Sequence, residues 1–121
     1  MAAPNLVNVA TITAKSVQAA LTTTLTTEIL ANASSSGKVF KVNNIIIANI
    51  DGSSAVDISV FITKSGGSPI AIASTISVPA DATLVVVDKD TSLYLEEGDN
   101  IEAGASAASD LTITINYEEL S

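Results

Sequence analysis

GKVFKVNNIIIANIDGSSAVDISVFITK, residues 37–64, is the stretch on which the fold turns. Read at a period of two, Phe40, Val42, Ile46, Ala48 and Ile50 share one side. Lys41, Asn43 and Asn49 take the other, with Ile45 and Ile47. Beyond it, Val56, Ile58, Val60 and Ile62 face one way while Asp57, Ser59 and Thr63 face the other. Such alternation, rich in β-branched residues, predicts strands with one buried face. Asp51-Gly52-Ser53-Ser54 lies between the halves, and Gly52 can take the positive φ of a tight reversal. The expectation is one long central β-hairpin.

Working outward, the closing strand at 111–118 has the cleanest pattern. Leu111, Ile113, Ile115 and Tyr117 point inward, and Thr112, Thr114, Asn116 and Glu118 outward. Ile70–Val78, Thr83–Val87, Leu93–Leu95 and Ile101–Ala105 read as further strands, separated by Gly-, Pro- and Asp-bearing turns. Val17–Ala33 carries some helical spacing, but β-branched side chains in Thr22–Thr27 lose rotamer freedom in a helix, so strand is favoured. Eight or nine short strands at turn spacings of about 8–12 residues predict an all-β chain, a single antiparallel β-sandwich of jelly-roll or Ig-like type. Residues 1–16 are an N-terminal arm or first strand, and 17–121 the sandwich domain.

Composition bounds the function. The 121 residues hold 13 carboxylates against 5 lysines, with no Arg, His or Cys, for a net charge of −8. No basic face for a phosphate backbone can be assembled, so nucleic acid is excluded as a partner. Without Cys there is no disulfide, thiolate ligand or cysteine nucleophile. Without His the many hydroxyls lack their usual base, and lysines at strand ends read as solvated. Catalytic residues, cofactors and metal ligands are therefore assigned to none, and the chain is not expected to be an enzyme. No apolar run is long enough to span a bilayer, and the N-terminus lacks signal-peptide character, which predicts synthesis in the cytoplasm without membrane association.

Weaker signals have plainer readings. The carboxylates between Asp88 and Glu102 can be imagined around calcium, but their spacing matches no calcium loop and turns recruit Asp for their own backbone. Asn32-Ala33-Ser34 spells a glycosylation sequon by chance. Four aromatics, Phe40, Phe61, Tyr94 and Tyr117, are few for a sugar site, although a sugar-binding host-recognition module stays among the alternatives. Leu6, Val7, Val9 and Ile12 in the arm, with Phe61 on the polar side of its strand, are the candidate partner-contacting residues.

Four segments carry a family likeness: VNNIIIANIDG (42–52), SVPADATLVV (77–86), LYLEEGD (93–99) and ASAASDLTITINYEEL (105–120). In these the chain resembles small β-rich virion proteins of tailed bacteriophages, notably those of cyanobacteria. The resemblance implies a structural component of the particle and brings no catalytic residue with it. A capsid decoration or cement protein is the leading expectation, bound to the major capsid protein or other virion subunits and self-assembling into a homo-oligomer. A tail, neck or fibre component is the alternative.

Overall fold

The computed structural model describes residues 5–121 and holds nine strands: β1 (Ile12–Ala20), β2 (Thr27–Ala31), β3 (Val39–Asn49), β4 (Val56–Thr63), β5 (Ile70–Val78), β6 (Thr83–Val87), β7 (Leu93–Leu95), β8 (Asn100–Ala105) and β9 (Leu111–Leu120). A short 3₁₀ turn at Leu6–Asn8 precedes β1, its Val7 amide donating to Asn5 Oδ1, and a second at Lys89–Thr91 precedes β7.

All strand pairs are antiparallel. One sheet runs β1-β9-β3-β6, with β7 also on β3; the other runs β2-β8-β4-β5. Nearly every connection crosses between sheets, and only β4–β5 and β6–β7 stay within one. Nine antiparallel strands in two sheets bear out the all-β expectation. The buried faces of both sheets feed one hydrophobic cluster, including Ile45, Ile47, Ile113 and Ile115 from the first and Ile58, Val60 and Ile101 from the second. Branched aliphatics at alternating positions put that apolar area on one face of each sheet. Phe40 and Tyr117 close one end of the core, ring centroids 5.2 Å apart.

Two expectations from residues 37–64 need correction. β3 and β4 are not a hairpin: β3 lies in the first sheet and β4 in the second, so Ile50–Ala55 is a crossover. Asn49 shows why. It is buried, and its Nδ2 donates to the Ser54 and Val78 carbonyls at 3.0 and 2.9 Å, turning the chain away from its own strand.

The inward phase of β3 also differs. Its pairing with β9 slips by one residue between Val42 and Asn44, a β-bulge that flips every later side chain. Phe40 and Val42 are inward as expected, but beyond the bulge Ile45, Ile47 and Asn49 are buried and Ile50 is exposed. The pattern in β9 holds, with Leu111, Ile113, Ile115 and Tyr117 all buried. The boundary drawn at residue 16 falls inside β1, which runs unbroken from Ile12 to Ala20.

Candidate functional site

The four buried polar or charged side chains with the richest contacts are structural ties. Asn32 is 1% exposed; its Nδ2 donates to the Lys38 and Leu95 carbonyls while its Oδ1 accepts from Ser36 Oγ. Its amide is thus fully engaged, and the Asn32-Ala33-Ser34 sequon is closed to modification in the folded state. Asp99 accepts from the Ser65 and Glu96 amides and from the Lys64 ammonium. Burial pushes its carboxyl upward, but those donors outweigh burial and hold it below the usual range. Glu119 is held low in the same way: burial opposes, and Lys38 at 3.0 Å and Lys15 at 3.2 Å prevail. Asn49 ties the opposite end of the molecule.

Two further carboxylates of the acidic stretch are engaged by backbone amides. Asp88 Oδ1 accepts the Asp90 and Thr91 amides, closing the 3₁₀ turn, and Glu97 accepts the Gly37 amide at 3.0 Å. Elsewhere Glu28 and Glu102 stand directly opposite across β2 and β8, where Glu28 receives Asn100 Nδ2 and Glu102 the Thr63 hydroxyl. Among the described residues no three His, Cys, Asp or Glu side chains converge as metal ligands would.

The outer face of the first sheet is different in kind. Strand register lays its outward side chains in rows. Ala14, Glu118, Lys41 and Tyr94 form one row, the only charged one. Next come Ser16, Asn116 and Asn44; then Gln18, Thr114, Ile46 and Val85; then Ala20, Thr112, Ala48 and Thr83. These last three rows carry no charge at all, in a chain of net charge −8. Asn116 Nδ2 donates to Asn44 Oδ1 at 2.7 Å and Gln18 Nε2 to Thr114 Oγ1 at 3.2 Å, so amides and hydroxyls lie flat against the sheet. Two shallow hollows open along the β1–β9 seam, one around Gln18 and Thr114, the other around Ser16 and Asn116.

The candidate contact residues do not gather in one place. Leu6 and Val7 are exposed in the N-terminal 3₁₀ turn, Val9 is half-buried, and residues 1–4 of the expected arm lie outside the described residues. Ile12, 62% exposed, opens β1 opposite Leu120, separated from the uncharged rows by the row of Ala14, Glu118 and Lys41. Phe61 is half-buried on the other sheet, between Glu102 of β8 and Ala71 of β5. The chain therefore presents Ile12 and Phe61 on opposite sheets. Ser16, Gln18, Asn44, Thr114 and Asn116 were missed. The signal available in sequence was the run of neutral outward residues, Thr112, Thr114 and Asn116, in the one strand whose phase was unambiguous.

Compared with known protein families and with curated proteins, the sequence matches none.

Proposed function

We propose that this chain is a non-enzymatic structural subunit of a tailed-phage particle, of the capsid decoration or cement type, acting through protein–protein contacts. The observation that carries the reading is the uncharged outer face of the first sheet, three rows deep. Burying a charge against a partner costs several kcal/mol unless it is matched, and interface cores are depleted of charge for that reason. A chain this acidic that keeps one broad face neutral has a surface suited to being covered. The tied-down polar groups agree with a part whose task is to hold shape. The likeness of its strand-and-turn segments to small virion proteins supplies the particle.

Stoichiometry in purified particles is the test. A decoration protein is expected at a copy number comparable to that of the major shell subunit, and a tail or neck part at a small fraction of it. Thr114→Lys with Asn116→Lys places two charges in the centre of the neutral face and is expected to abolish incorporation while leaving the melting temperature nearly unchanged. Normal incorporation of that double variant, or absence of the chain from particles, overturns the proposal.

A further inference from the structure

Four sheet edges exist among the described residues, and three are guarded. β2 is five residues long and bulged. β6 and β7 share an edge as short pieces, with a bulge between β3 and β6. β5 is nine residues long, and its Ile70, Ile72 and Ile76 are exposed. Yet its pairing with β4 slips twice, and Thr75 sits at φ +51 with its amide drawn back to Ser59 Oγ. Bulges and short strands are how sheets deny an edge to other strands. β1 has none of these protections: nine residues, nine pairs with β9 in unbroken register, and mostly exposed side chains.

The backbone groups that β1 leaves free follow from its ladder. Thr11 and Ser121 exchange both their bonds at 2.9 Å, and the Leu21 amide donates to the Leu111 carbonyl at 2.9 Å. In an antiparallel ladder hydrogen-bonded pairs alternate with non-bonded ones, so the odd-numbered residues face β9. Ile12, Ala14, Ser16, Gln18 and Ala20 therefore aim both N–H and C=O at the open edge. Their side chains lie on the outer face, those of Ser16, Gln18 and Ala20 in its uncharged rows.

We propose that this edge pairs with β1 of a second copy, antiparallel about a two-fold axis at Ser16. In that register Ser16 meets Ser16 of the second copy, Ala14 meets Gln18, and Ile12 meets Ala20, so all five residues on each strand find bonding partners. The only charge on the strand, Lys15, then stands opposite Val17. Sliding by two residues in one direction puts Lys15 opposite Lys15, and sliding in the other leaves Ile12 unpaired; like charges directly opposite are unfavourable. The strand is thus self-complementary in bonding and charge at one register, as a symmetric contact requires. Two copies of net charge −8 can approach here because the joined strands carry no carboxylate. The inference does not depend on the particle reading.

Analytical ultracentrifugation of the purified chain across a concentration series tests it, with a reversible dimer as the expected result. Ser16→Lys and Ser16→Glu each place like charges at the axis and are expected to weaken dimerisation roughly tenfold or more. An equimolar mixture of the two should recover a dimer. Because the chain has no Cys, Ser16→Cys is a clean probe: under mild oxidation it should give a covalent dimer in high yield, its Cα atoms being spaced for a disulfide. A wild-type chain that stays monomeric throughout overturns the proposal. So does a dimer that neither cross-links through Ser16→Cys nor responds to charge there.

Discussion

Asn49 Nδ2 donates to the Val78 carbonyl at 2.9 Å, joining the end of β3 in one sheet to the end of β5 in the other. The same amide reaches Ser54, and Asn49 Oδ1 accepts the Asp51 amide at 2.9 Å. One buried side chain thereby organises the crossover between the sheets. Asn49→Ala leaves those groups without partners and is expected to cost about 2–3 kcal/mol in urea unfolding. Asn49→Asp, whose carboxylate faces two carbonyls, should cost at least as much.

At the other end of the molecule Asp99 and Lys64 set a pH window. The Lys64 ammonium is raised above its ordinary 10.5, first by its hydrogen bond to Asp99, with burial opposing. Asp99 lies below its ordinary 3.8. A lowered carboxyl contributes stability that is present above 3.8 and lost as pH falls through its folded value; a raised amine contributes stability present below 10.5 and lost as pH climbs through its folded value. Glu119, lowered from its ordinary 4.5, and Tyr117, raised by burial from its ordinary 10.0, act in the same senses, so the melting temperature should be level between 4.5 and 10.0 and fall on both sides. Asp99→Asn should lower the plateau by about 2 kcal/mol and shallow the acid limb, leaving the slope that Glu119 supplies.

Gly104 is held by close approach. A Cβ there would lie 2.4 Å from Leu25 Cα and 2.6 Å from the Thr24 carbonyl oxygen, both backbone. The segment linking β1 to β2 drapes over this point and is fastened by the Ala105 amide to the Thr22 carbonyl at 2.8 Å. Gly104→Ala must lift that segment, with an expected loss of about 1–3 kcal/mol. Amide exchange at Ala105 should accelerate in parallel.

The bulge in β3 makes a paired prediction. Ile47 is fully buried and Ile46 lies on the outer face. Ile47→Ala should cost about 3–4 kcal/mol in chemical denaturation and Ile46→Ala no more than about 1 kcal/mol. Equal costs would mean that the strand lacks the slip.

These residues also mark where sequence reasoning worked and where it stopped. The all-β class and most strand positions were legible because β-branched residues recur at period two between turn-forming clusters, most clearly in β9. The phase of β3 was not, because three consecutive isoleucines satisfy either face and nothing in Asn43-Asn44 announces an extra residue in the ladder. The false hairpin has a related cause: Asp51-Gly52-Ser53-Ser54 suits a reversal, while the tie that redirects it lies at Val78, far along the chain. The neutral face was only half readable. Its β9 row follows from alternation, but its continuation into Ser16, Asn44 and Val85 requires the register.

The double kink of β5 reaches beyond the folded monomer. Because that side of the molecule cannot template another strand, any lateral growth has a single available direction, and a two-fold join uses it up. On the proposed two-fold join, enlargement would end at a closed pair instead of an open ribbon, and a concentrated solution would have no edge from which fibrils could seed.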